Sequence, residues 1–555
     1  MNFFKSTLLL LFALFLTSAS NAQVNYTYTL AGGWSPSNPI GISTSIDEIE
    51  IESGVVNINA NTICASLTVN EGATVFLRSG YTLTGNVELY STSTEFASFI
   101  SNGTIVGLVR YYRHVEQVAP IGTNDLIASP LSGQLFSTFH VDNLNLPASG
   151  TLRAFAPFNT STGAYENYDI VTNAATVIES GQGFRTATTD DSELVFTGTV
   201  RNDNVLDIPI TKNATNNGWN LIGNPYPSYI DFALFFEINE DQFDAGGAQA
   251  IYGYDGDASD GWVIWNQAVI DNPDVPEFIA PGQAFFVKSK PGGGLIDFTL
   301  AMRSVGQGDD FIAGRSETTG PHHGHIKLNS SAAGSSFDTD FYFNDNATCG
   351  FDPGYDSGIY GSTPPAFSLY SNLIEENSGV ALAIQAMDPP SMDNSVISLG
   401  VHATQGQEVT FSITETDMPT NINIYLEDNE LSTSTLLNSN DYIFTAASDI
   451  SGTGRFYLRF ENQALSIIDD NTTEFDTISI ISNLKNDTIE INGQLNGDTM
   501  AELYDINGRL ILESALNTKS TTQILDVQYL IPGVYVMALN GNNSNQKRTE
   551  KLIIK

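Results

Sequence analysis

Positive charge is scarce in this chain. Only 22 of its 555 residues are Lys or Arg against 63 Asp or Glu, for a formal net charge of −41. A surface that acidic repels phosphate backbones and anionic bilayers, which excludes nucleic-acid binding and electrostatic membrane docking. Cysteine is rarer still. Cys64 and Cys349 leave two readings open, one long-range disulfide or two separate thiols, and neither is a disulfide-dense scaffold. Six His leave little material for metal clusters. No apolar run approaches the ~20 residues that span a bilayer. The His-Glu-x-x-His, Gly-x-Ser-x-Gly, P-loop and dinucleotide patterns are all missing. A catalytic centre would therefore have to assemble from residues far apart in the chain.

What is present is apolar enough to fold: 41% hydrophobic and 10% aromatic residues can build several cores, and the length suits three to four domains at roughly 150 residues each. Lys5, the apolar run Leu8 to Leu16, and Ser20 and Ala22 at the −3 and −1 positions read as a signal peptide over 1–22 with cleavage before Gln23. The rest is short β-rich runs punctuated by Gly, Asn, Asp and Ser, so the expected class is all-β and multidomain. From Val55 to Leu89 the alternation Val56, Ile58, Leu67, Val69, Val75, Leu77, Leu83, Val87, Leu89 suits the coils of a small β-helix or a tight meander over 23–115. The best short helix candidate is Ile230 to Ile238.

The region 116–310 carries an internal duplication. Leu126-Ile127-Ala128-Ser129-Pro130 returns as Leu221-Ile222-Gly223-Asn224-Pro225, and Ser180-Gly181-Gln182-Gly183-Phe184 as Pro281-Gly282-Gln283-Ala284-Phe285. Leu194 to Thr197 then matches Ile296 to Thr299. Collinear matches in this order predict two related β modules, about 120–205 and 215–307, with Phe184 and Phe285 as equivalent core residues. Seven further strand patterns predict a β-sandwich over 311–466. An acidic linker, 467–477, follows, and 478–555 reads as a small β-sandwich.

In that last segment Asn507-Gly508 is a hairpin turn between alternating strands, Gly533 opens another strand, and Lys547, Arg548, Lys551 and Lys555 concentrate cations at the C-terminus. The series Leu503-Tyr504-Asp505-Ile506-Asn507-Gly508-Arg509-Leu510, Leu530-Ile531-Pro532-Gly533-Val534-Tyr535-Val536 and Lys547 to Lys555 resembles the C-terminal sorting domain, type A-like, of the Bacteroidetes type IX secretion system. It departs from that pattern in having Ile481-Ser482-Asn483-Leu484-Lys485-Asn486 where many such domains open on Pro-Asn-Pro. The resemblance implies that Asn507, Gly508, Arg509, Gly533, Tyr535, Lys551 and Lys555 belong to a sorting signal. It also implies that the partner is the outer-membrane secretion machinery, and that the protein is secreted or surface-attached. Upstream, Trp219 to Pro227 and Gly350 to Asp356 resemble non-catalytic β modules of such secreted proteins.

Candidate sites are few. Tyr252, Tyr254, Trp262 and Trp265 flank one hairpin tip, where aromatic faces with nearby Asp and Asn suit sugar rings; equally, such rings fill a core. Between them Asp255, Asp257 and Asp260 are carboxylates spaced for a hard cation such as calcium, or an ordinary solvated hairpin tip. No other cofactor is expected. His322, His323 and His325, with Glu317, form either a metal site or an exposed linker. Two functions compete. One is a non-catalytic secreted or surface protein with an adhesive, glycan-binding or structural role. The other is a secreted hydrolase of polysaccharide or protein whose site is built from dispersed acids. The missing motifs favour the first.

Overall fold

A computed structural model describes residues 22–118, 124–212, 218–254, 262–273, 278–306, 320–462, 478–483, 488–495, 497–505, 508–541 and 547–554. The signal peptide up to residue 21, the linker 467–477, Asp255, Asp257, Asp260, Asn507 and Lys555 lie outside the described residues. The chain forms two compact units, one ending at Asn462 and one from Gln463. Strands dominate throughout.

The first unit begins as a β-helix. Asn25–Thr29, Glu48–Ile51, Thr62–Val69 and Thr82–Tyr90 stack in parallel, and Gly54–Ile58, Ala73–Leu77 and Ser98–Ser101 form a second parallel sheet. Parallel pairing decides between coil and meander. Each inward residue lies over its counterpart one coil back, giving the buried column Tyr26, Ile49, Leu67, Val87, Val109. Alternating strands supply such a column because side chains switch faces at every residue. Gly85 (φ +148°) and Gly107 (φ +157°) stack over Cys64, where a β-carbon would collide with the backbone of the coil below. Both cysteines are free thiols.

The duplicated modules share one topology. In the first, the strand order is Asp125–Ala128, Gly183–Thr186, Phe155–Asn159, Ala164–Tyr165; in the second it is Trp219–Gly223, Ala284–Lys288, Ile251–Gly253, Val263–Trp265. Ile127 pairs with Phe184 as Ile222 pairs with Phe285, and all four are buried. Each copy adds a short helix, Phe136–Asp142 or Phe232–Asn239. Asp231 caps the second helix by accepting from the Leu234 amide. Each also adds an antiparallel pair, Val109–His114 with Glu193–Gly198 or Val205–Ile210 with Gly294–Phe298.

The repeat therefore starts at Val109, inside the last coil of the β-helix, and the expected break at 115/116 is not a break. One core runs from Tyr26 to Val200, because the first module closes the open end of the β-helix, which would otherwise leave apolar side chains in water. The expected boundary at 310/311 is likewise bridged: Tyr342, Ile384 and Ala386 share a core with Trp265 and Phe285, and Asn266 Nδ2 donates to Ser357 Oγ at 2.9 Å.

Residues 320–462 build one eleven-stranded sheet. It curls until its ends face each other, bringing Phe456 to 5.2 Å from Phe411 and 5.1 Å from Phe444 between ring centroids. In the second unit, a three-stranded sheet (Ser479–Asn483, Thr488–Asn492, Thr522–Asp526) and a four-stranded sheet (Thr499–Asp505, Leu510–Leu516, Gly533–Gly541, Lys547–Ile554) enclose one core containing Ile489, Leu503 and Met537.

Candidate functional site

Alternation gives the module sheets two apolar faces. On one, Ile222, Ile251, Phe285 and Val287 enter the core of the second module. On the other, Leu126 and Ala128 of the first copy join Trp219, Leu221, Tyr252, Ala284 and Phe286 of the second. That second face carries a rim of half-buried rings: Phe158, Tyr165, Tyr254, Trp262 and Tyr360.

The rim repeats with the modules. Phe158 and Tyr165 are cross-strand partners in the first copy, with centroids 5.3 Å apart. In the second copy Tyr254 and Trp262 lie 5.5 Å apart at the equivalent hairpin. Both pairs converge on Phe286, which is 4.9 Å from Phe158 and 5.9 Å from Trp262. Tyr360, from the third region, stacks on Trp262 at 3.8 Å and 14°, and Arg185 lies over Tyr165 at 4.0 Å. Beside the rim is a groove of about 500 Å³ lined by Phe158, Thr160, Glu179, Gln182, Asp207 and Asn220 among others. Thr160 Oγ1 donates to Asn220 Oδ1 at 3.0 Å. Rings with neighbouring hydroxyl, amide and carboxylate groups can bind a molecule that has an apolar face and a polar edge.

The four aromatic candidates thus divide. Tyr252 is fully buried and its hydroxyl donates to the Gly358 carbonyl at 2.9 Å; burial raises its pKa well above the usual tyrosine range. Trp265 is 4% exposed and packs on Phe232. These two are core residues, not platforms, because both point from their strands into packed layers. Tyr254 and Trp262 stay at the rim. Sequence reading missed Phe158 and Tyr165, although the duplication places them opposite Tyr254 and Trp262, and it missed Tyr360, for which no local signal exists.

The three clustered histidines separate. His322 Nε2 pairs with Asp417 at 2.7 Å, His323 with Asp345 at 2.9 Å and His325 with Asp340 at 2.7 Å. Three imidazoles on three different carboxylates do not converge on one ion; Glu317 lies outside the described residues.

In the C-terminal unit, Gly508 (φ +76°) turns a hairpin closed by hydrogen bonds between Asp505 and Arg509. Tyr535 donates its hydroxyl to the Ile531 carbonyl at 2.8 Å, tying the strand start to the preceding loop. Gly533 is not demanded by sterics, since a β-carbon there would meet nothing closer than 3.7 Å. Lys551 is exposed, next to the buried Leu552 and cross-strand from Val536.

No helix among the described residues is long and apolar enough to cross a membrane. No curated protein matches the sequence. Among solved structures, a β-glucuronidase of Ruminococcus gnavus is 12% identical over 29% of this chain and 36% of its own, with a TM-score of 0.12, so the chain spans about a third of that protein. A biofilm-associated protein, BSP domain, is 10% identical over 80% of this chain and 89% of its own, with a TM-score of 0.13. Neither likeness bears on fold or function here. Residues 483–555 match the family described as secretion system C-terminal sorting domain, which makes the protein a substrate of type IX secretion with a secreted or outer-membrane surface destination. The match starts at the end of Ser479–Asn483, a strand that belongs to the same unit. Upstream, residues 20–460 match the family model described as domain of unknown function (DUF8693), and the chain belongs to that family.

Proposed function

We propose that this protein is a non-catalytic binding module, delivered by the type IX machinery after signal-peptide cleavage before Gln23, that holds glycan at the cell surface. The observation that carries this reading is the repeated aromatic pair, Phe158 with Tyr165 and Tyr254 with Trp262, set around Phe286 beside a polar groove. Two quasi-equivalent pairs suit a repeating ligand such as a sugar chain, each ring stacking on one face of a sugar while Thr160 and Gln182 meet hydroxyl groups. A net charge of −41 disfavours acidic polysaccharides, so neutral glycans are the expected class. The closely spaced carboxylates Asp255, Asp257 and Asp260 suit calcium as an accompanying cation.

The test is a glycan array on the purified chain, followed by calorimetry on each hit and assay for released reducing sugar. Neutral glycan binding that is lost in Trp262→Ala and Tyr165→Ala supports the reading. Release of sugar would transfer the case to a hydrolase, and absence of binding to every glycan would overturn it.

A further inference from the structure

A second constellation lies away from the aromatic rim, at the seam between the β-helix and the first module. His114 ends the strand Val109–His114, Glu116 follows two residues on, and Asp191 sits in the turn before Glu193–Gly198. One ligand atom from each lies within 4.8 Å of the others. Beyond His114 the backbone runs beside 188–192: the Val115 amide donates to Ser192 O at 3.2 Å and the Thr188 amide to Glu116 O at 2.8 Å. Thr188 Oγ1 donates to Val115 O at 2.8 Å and accepts from the Asp191 amide at 3.1 Å. The three side chains therefore project from a hydrogen-bonded frame.

The separation inside the cluster is informative. In the pairs of His322, His323 and His325 the imidazole lies 2.7 to 2.9 Å from a carboxylate, in direct hydrogen bonds. His114 Nε2 and Asp191 Oδ1 stand 3.8 Å apart, too far for a hydrogen bond. Two ligands each ~2.1 Å from one tetrahedral ion are ~3.4 Å apart, so a small side-chain adjustment brings both onto a shared metal.

We propose that His114, Glu116 and Asp191 bind one divalent transition-metal ion, with zinc the best fit to one imidazole and two carboxylates. Three protein ligands leave a coordination position for water on the exposed Asp191 side. The ion would clamp the last coil of the β-helix to the first module.

The test is calorimetric titration of the chelator-treated chain with zinc, manganese and calcium, paired with elemental analysis. One equivalent of zinc or manganese is expected to bind. Affinity should fall at least tenfold in His114→Asn and in Asp191→Asn, and persist in His323→Asn, which removes a surface His–Asp pair elsewhere. Asn tolerates the left-handed backbone of Asp191 (φ +59°), so that variant tests the site even if His114→Asn fails to fold. The proposal is overturned if neither zinc nor manganese binds stoichiometrically, or if the affinity survives in Asp191→Asn.

Discussion

Gly223 lies directly against Ala128: a β-carbon on Gly223 would fall 2.5 Å from the Ala128 methyl and 2.7 Å from the Gln283 carbonyl oxygen. The two residues occupy equivalent places in the two copies, and their amides make equivalent bonds across the junction. Ala128 N–H donates to Gly282 O at 2.7 Å and Gly223 N–H to Gly181 O at 3.1 Å. The modules thus meet about an approximate two-fold axis, and small residues let the backbones approach.

Gly223→Ala should therefore overpack the junction and cost about 1–3 kcal/mol. Gly183→Ala should behave alike, since its β-carbon would reach Leu221 Cγ at 2.6 Å. Differential scanning calorimetry of the whole chain reads this as a lowered first transition; an unmoved transition would show that the junction has slack.

The two copies also share a buried asparagine bridge. Asn143 joins its helix to Val195 through both side-chain atoms, and Asn239 joins the next helix to Asp297 in the same way. Replacing either by Ala strands a strand amide and a carbonyl, at about 1–3 kcal/mol. Chemical denaturation should report comparable losses for both, and a neutral Asn239→Ala would refute the equivalence.

The neighbouring tryptophans should separate stability from binding. Trp265→Ala empties a core site and is expected to cost about 3–5 kcal/mol, as is Phe285→Ala. Trp262→Ala removes a half-buried ring stacked on Tyr360 and should cost less while abolishing glycan binding. Equal thermal losses for Trp262 and Trp265 would place both in the core.

Acid should weaken the curled sheet through Asp428. Its buried carboxylate accepts from Arg455 and Tyr442, both at 2.7 Å, and from the Glu430 and Leu431 amides. Burial alone would raise its pKa, but these bonds outweigh it and hold the group below its ordinary value. A carboxylate with a depressed folded pKa stabilises above its unfolded pKa of about 3.9, and that contribution drains as pH falls through the folded value. Melting between pH 5 and 2 should fall in this region. Asp428→Ala, by breaking a buried ion pair, should cost about 3–5 kcal/mol near neutrality and flatten the acid dependence; a variant that keeps the full acid slope would assign it elsewhere.

Removing residues from Ile478 onward should trap the protein inside the outer membrane. Cell fractionation of the native host is the measurement, and normal surface display of the truncated chain would contradict the role of the sorting domain.

Much of the architecture was legible in the sequence, for local reasons. The alternation at Val56, Ile58, Leu67 and Val69 marks half-buried strands, and the Gly181-Gln182 and Gly282-Gln283 turns mark the duplication. Candidate-site legibility was partial. Strand propensity cannot tell which rings of a hairpin face a core, so Tyr252 and Trp265 looked like Tyr254 and Trp262. Tyr360 reaches Trp262 from nearly a hundred residues away, and Asp191 reaches His114 from 77 (191 − 114). No spacing rule signals either meeting.

By itself, then, the sequence determined the all-β character, the repeat, the export signature and the acidity that turns anionic partners away. All of these are written in neighbouring residues, in turn chemistry and in summed charge. Only the tertiary structure decided that the N-terminal strands pair in parallel, that Val109–His114 serves both the β-helix and the first module, and which aromatic rings stay at the surface. Those outcomes depend on pairing and burial between segments 18 or more residues apart, where the free energy belongs to the packed layers and not to any one stretch of chain.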